Sequence, residues 1–140
     1  MNIMNDRRIT AREIERNIVN LRQLTFEVTD CCNLQCQYCG YGELYSGYDE
    51  RKACYMNFEQ IRPIIDYLVS LWQSHHSDSG RPLTYFSFYG GEPLLNMKFI
   101  KQVINYVDSL VIERRIAYSM TTNAMLLDKQ MDYLAKHNFH

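Results

Sequence analysis

Cys31, Cys32, Cys36 and Cys39 fall within nine residues, and the fifth cysteine, Cys54, stands apart. The last three of the group are spaced C-x3-C-x2-C along Cys32-Asn33-Leu34-Gln35-Cys36-Gln37-Tyr38-Cys39. Carried on a loop, three thiolates this close can meet at one metal centre, and soft sulfur suits an iron–sulfur cluster or zinc. Three ligands are one short of a closed tetrahedral site, and catalytic centres keep such a position open for substrate or cofactor. Two other outcomes share the spacing. One is a structural zinc completed by a distant histidine; the other is packing, because i, i+4 and i+7 also mark one helix face on which Cys behaves as a small hydrophobe. Asn33, Gln35 and Gln37 lend that helix little amphipathic support, and Gly40 follows at once. Cys31 reads as structural, Cys54 as a small buried residue, and His75-His76 as a solvated pair favoured by a helix C-terminus.

The surrounding pattern places the cluster. Thr10-Ala11-Arg12-Glu13 has the form of a capping box, and Ile14, Ile18 and Leu21 extend a short helix. Leu24, Phe26 and Val28 then alternate with polar residues at the two-residue period of a strand, so the cysteines sit just past a strand's carboxyl end. A Tyr- and Gly-bearing loop runs from Gly40 to Tyr55, and its tyrosines at 41, 45, 48 and 55 could wall a cleft. Asn57 caps a helix carrying Ile61, Ile64, Ile65, Leu68, Val69 and Trp72. Leu83 to Tyr89 reads as a strand covered on both faces and is stopped by Gly90-Gly91-Glu92-Pro93. Asn96 opens a helix with Ile100, Val103, Val107 and Leu110 inward; Ile116 to Thr122 is a third strand, and Asp128 to His137 a third crossover helix with Met131 and Leu134. Strand and helix alternating in this way imply a parallel α/β sheet, whose ligands bind at the strands' carboxyl ends. Three segments fall there: the cysteine cluster, Gly90 to Pro93, and Thr121-Thr122-Asn123.

Composition bounds the rest. The 140 residues carry 15 Lys and Arg against 16 Asp and Glu, with 46% hydrophobic residues, enough for one cored globular unit. That balance lacks the basic excess of a nucleic-acid binder. No apolar run approaches the roughly 18 residues of a membrane span. The first residues lack the apolar stretch of a signal peptide, so the expected compartment is the cytoplasm, where cysteines stay reduced.

The motifs resemble those of the radical S-adenosylmethionine (radical SAM) superfamily. Thr29 to Cys39 is similar to its V-T-x-x-C-N-L-x-C-x-Y-C form, Phe88-Tyr89-Gly90-Gly91-Glu92-Pro93 carries its GGEP motif, and Thr122-Asn123 with Leu126-Leu127 its T-N-x-x-L-L. The first motif and the aromatic approach to GGEP look most like the sulfatase-maturase and peptide-maturase branch. The molybdenum-cofactor branch, acting on a small molecule, shares much of the first motif, and Gly40 stands where the peptide branch often has a second aromatic. The resemblance implies the first three βα units of a partial (βα)6 TIM-like barrel over residues 23–140, after a helical lead-in over 1–22, with a fourth strand beginning near Asn138. We therefore read the 140 residues as the cluster-bearing half of a larger enzyme, with an unpaired edge on the third strand. It also implies a 4Fe-4S cluster on Cys32, Cys36 and Cys39, with SAM on the fourth iron. SAM cleavage then gives a 5'-deoxyadenosyl radical that abstracts hydrogen from a peptide or protein substrate, the electron coming from a donor such as flavodoxin or ferredoxin. Gly90, Gly91 and Glu92 would meet the amino group of SAM, and Tyr38 would pack near the adenine. Asn123 would bond SAM or order the pocket, its simpler alternative being a turn cap. A metal-stabilised module without catalysis is the reading from another class.

Overall fold

A computed structural model describes residues 8–40, 51–78, 80 and 82–140. Thr10 and Glu13 form the capping box, Glu13 N–H donating to Thr10 Oγ1 at 3.2 Å and Thr10 N–H to Glu13 Oε2 at 2.9 Å, and open α1 (Ala11–Val19). After β1 (Gln23–Glu27), Asn57 caps α2 (Phe58–Ser74) by accepting from Glu59 N–H at 3.0 Å. β2 (Leu83–Tyr89) leads through a 3-10 turn at Pro93–Asn96 into α3 (Met97–Ser109). β3 (Arg115–Met120), a second 3-10 turn at Leu127–Lys129 and α4 (Met131–Lys136) complete the order.

The strands form one parallel sheet in the order β1-β2-β3, with Gln23 opposite Tyr85 and Ser87 opposite Ser119. This is the α/β arrangement expected of three βα units. Phe26, Phe86 and Phe88 from the strands share one core with Ile65, Leu68, Phe99, Ile100 and Val103 from α2 and α3. Three expectations need correction. Ile64 and Met131 are exposed, each at the margin of its helix's apolar stripe. The third helix breaks into a 3-10 turn followed by a short α-helix. β2 is buried fully on one face only: Thr84, Phe86 and Phe88 are covered, whereas Tyr85 is half-buried and Tyr89 exposed. Tyr, Ser and Thr suit either a buried or a wet face, so the run itself does not separate the cases. That second face carries a polar row, with Gln23 Nε2 donating to Ser87 Oγ at 3.0 Å and Ser87 2.7 Å from Ser119.

Residues 139 and 140 take up the outer edge of β3. His140 N–H donates to Tyr118 O at 3.0 Å, His140 O accepts from Met120 N–H at 3.1 Å, and Phe139 stacks on Phe88 and Tyr118. The edge of β3, expected to be unpaired, is thus hydrogen-bonded over Tyr118–Met120 by residues outside the three strands.

The opposite end of the sheet is locked by buried Arg114. Its Nη1 donates to Leu21 O at 3.0 Å and Thr84 Oγ1 at 2.7 Å, its Nη2 donates to Val19 O, and its guanidinium lies 4.2 Å from the Trp72 ring centre. One planar fork thus ties the α1–β1 turn to β2 and α2. Arg114→Met is expected to lower stability by about 3 kcal/mol, because it orphans buried carbonyls, and Arg114→Lys to recover less than half of it. Urea unfolding of the variants checks this.

Candidate functional site

The site begins where the β1–β2 ladder runs past both strands. Val28 N–H donates to Tyr89 O at 2.9 Å, Gly91 N–H to Thr29 O at 2.8 Å and Glu92 N–H to Cys31 O at 2.7 Å. These bonds bring Gly90 and Gly91 against the backbone that enters the cysteine loop. A Cβ on Gly90, whose φ is +136°, would lie 2.2 Å from Thr29 O, and one on Gly91 would lie 2.1 Å from Cys31 O. No side chain fits at either position. Sequence reasoning gave these glycines to a ligand; the structure shows that they first admit the chain's own backbone.

Glu92 is fully buried and joins the second strand end to the third. Its Oε1 accepts from Leu94 N–H at 2.9 Å and Thr122 Oγ1 at 2.7 Å, and its Oε2 from Asn123 N–H at 2.8 Å. A buried carboxylate requires such donors. Asn123 makes the turn cap that was its simpler alternative, and its amide also reaches the cysteine loop. Its Oδ1 caps Met125 N–H at 3.0 Å across Ala124, whose φ is +64°, and its Nδ2 reaches Asn33 Oδ1 at 2.8 Å and Cys32 Sγ at 3.7 Å. The cysteine loop, GGEP and Thr122-Asn123 are therefore one hydrogen-bonded unit.

A second set of contacts, invisible to periodicity, fixes the other side of the loop. Thr29 Oγ1 donates to Cys54 O at 2.7 Å, while Asp30 accepts from Lys52 N–H at 2.6 Å and Cys54 N–H at 2.7 Å. The Lys52 bond leads in holding the Asp30 carboxyl below its usual pKa, and the nearby Arg51 charge adds to it. Asn96 is buried without capping α3; its Nδ2 donates to Val28 O at 2.8 Å and Met56 O at 3.1 Å. Cys54 is exposed, contrary to expectation, because only its backbone is engaged in this clamp. Tyr55 faces Cys31, and hydrogen bonding there raises the tyrosine's pKa. The tyrosines at 41, 45 and 48 lie outside the described residues. His75 caps α2 and sits 3.2 Å from Glu15.

The sulfurs of Cys32, Cys36 and Cys39 are half-buried and each has its own partner. Cys32 Sγ accepts from Leu34 N–H at 3.4 Å, and Cys39 Sγ from Arg51 Nη2 at 3.3 Å. The Tyr38 hydroxyl faces Cys36, which raises its pKa, and its ring is 85% exposed. A turn closed by Cys39 N–H and Cys36 O at 3.0 Å joins the last two cysteines. Among the described residues no three His, Cys, Asp or Glu side chains converge on one point. The donor set fits a metal group: three closely spaced thiols, of which Cys32 and Cys39 already accept N–H bonds at sulfur, as cluster ligands do.

The chain matches the radical SAM superfamily over residues 26–140. It belongs to that superfamily. Members of the radical SAM superfamily bind a 4Fe-4S cluster and SAM. Among curated relatives, the radical SAM cyclopropyl synthase TigE of Paramaledivibacter caminithermalis is 27% identical over 91% of this chain and 29% of its own. The GTP 3',8-cyclase of Synechocystis sp. is 27% identical over 84% of this chain and 31% of its own. A serine-type anaerobic sulfatase-maturating enzyme of Bacteroides thetaiotaomicron is 27% identical over 77% and 25%. The chain thus spans a third or less of the length of these radical SAM relatives. Among the described residues no helix is long and apolar enough to cross a membrane.

Gly91→Ala is expected to cost about 3 kcal/mol by overpacking against Cys31 O, and to reduce iron uptake with it. Gly40→Ala, with nothing among the described residues within 4 Å of the new carbon, is expected to change neither. Thermal melting and iron content of the two variants side by side are the check.

Proposed function

We propose that this chain is the cofactor-bearing part of a radical SAM enzyme that modifies a peptide or protein. Cys32, Cys36 and Cys39 would hold the 4Fe-4S cluster, and Gly90, Gly91, Glu92, Asn123 and Tyr38 would line the SAM site. The observation that carries this reading is the hydrogen-bonded union of Cys32, Glu92 and Asn123 at three adjacent strand ends. When bound, the cluster and SAM supply one-electron reductive cleavage to a 5'-deoxyadenosyl radical that removes a substrate hydrogen atom.

The chain's own residues bind and orient. Glu92 is fully buried and accepts three hydrogen bonds from the chain, so it would serve SAM by fixing the strand end that carries Gly90 and Gly91 against Thr122 and Asn123. The exposed Tyr38 ring offers a flat surface for a purine. The Asn123 amide, pinned between Glu92 and Asn33, keeps the third strand end at a fixed distance from the loop. The electron would come from a low-potential donor such as flavodoxin or ferredoxin in the cytoplasm. The C-N-L-x-C-x-Y-C form and the Bacteroides maturating enzyme support a peptide or protein substrate. The cyclase relative and Gly40 favour the second reading, a small-molecule substrate.

Anaerobic reconstitution with iron and sulfide is expected to give a broad violet absorbance that dithionite bleaches, with 5'-deoxyadenosine released from SAM. Cys32→Ser, Cys36→Ser and Cys39→Ser should each abolish both, and Cys54→Ser neither. Stoichiometric zinc without iron or sulfide would overturn the enzyme reading, and turnover of GTP would transfer the assignment to the small-molecule class.

A further inference from the structure

Arg51 lies twelve residues beyond Cys39 in sequence, yet its Nη2 donates to Cys39 Sγ at 3.3 Å. The contact follows from the clamp around Asp30. The two Asp30 oxygens hold Lys52 N–H and Cys54 N–H, Thr29 holds Cys54 O, and Thr29 pairs with Tyr55 in an antiparallel bridge. The backbone on the carboxyl side of Arg51 is thus tied to the residues that open the cysteine loop. The donors to Cys32 are a backbone N–H and the Asn123 amide, both neutral; the donor to Cys39 carries a full charge.

We infer that Arg51 is a positioning residue that raises the reduction potential of the cluster through the Cys39 sulfur. The inference rests on the cluster assignment proposed above. In the step concerned, one electron passes from the low-potential donor protein to the cluster, with no proton taken up and no bond made or broken. The reduced centre carries one more negative charge. A fixed guanidinium beside a ligand sulfur stabilises that charge, and its N–H bond draws electron density from the sulfur, so both effects ease reduction. Lys would keep the charge and lose the planar, directional N–H donors that the guanidinium presents to the sulfur.

The test is a redox titration, followed by electron paramagnetic resonance, of the anaerobically reconstituted protein and its Arg51→Gln and Arg51→Lys variants. Arg51→Gln is expected to keep its iron and sulfide and to make reduction about tenfold less favourable, a negative midpoint shift of ~59 mV for one electron. Arg51→Lys should lie between it and the unmodified protein. An unchanged or more positive midpoint in whichever variant retains its cluster would overturn the inference. So would loss of iron from both variants, which would make Arg51 an anchor of the loop. Absence of any cluster in the unmodified protein would refute the functional reading instead.

Discussion

The backbone from Thr29 to Cys31 rests on Gly90 and Gly91 with no room for a carbon between them. This contact sets where everything else at the carboxyl edge can be. It brings Glu92 N–H to Cys31 O, which turns the Glu92 side chain toward the third strand end and leaves it fully buried. There the carboxylate holds Thr122 and Asn123, and Asn123 reaches back to Asn33 and Cys32. The loop is fastened at its entrance by the sheet and near its middle by the third strand end. A larger residue at either glycine would push at the start of this chain of contacts.

The arrangement has the economy of parallel α/β folds. The helices and the phenylalanine core cover one face of the sheet and make it rigid, so that loops at the carboxyl ends inherit fixed origins. Arg114 performs a corresponding task at the amino end by gathering the carbonyls of the α1–β1 turn. Between these two ends the face opposite the phenylalanine core carries Gln23, the buried Ser87 and Ser119, polar groups bonded to one another. A buried carboxylate with three donors and a buried guanidinium with three acceptors are both costly to disturb, since the cost of an orphaned polar group exceeds the net gain of a satisfied one.

The parts of the fold with a local cause were legible in the sequence. The Thr10–Glu13 box, the Asn57 cap and the limits of β2 each depend on residues a few positions apart. The cysteine spacing and GGEP were legible for the same reason, and the superfamily match agrees with them. What escaped depends on pairs far apart in sequence. Nothing near Asn96 signals that its amide serves Val28 and Met56 and not the helix it precedes. Nothing near Arg51 signals Cys39, because the Asp30 clamp that brings them together joins segments more than twenty residues apart. Glu92 was recognised as an acceptor, but three of its partners are the chain itself, which only the crossing of β2 and β3 reveals. The exposed side of Cys54 has a similar origin, its backbone being fully employed by Thr29 and Asp30 while its thiol is left outside.

Amide hydrogen exchange reads the central contact directly, because the Gly91, Glu92 and Asn123 N–H groups are the bonds that join the three strand ends. The account predicts that these three amides are protected together, exchange in one cooperative opening, and lose protection together in Gly91→Ala. Free, loop-like exchange of Gly91 and Glu92 while the amides of β2 remain protected would contradict it.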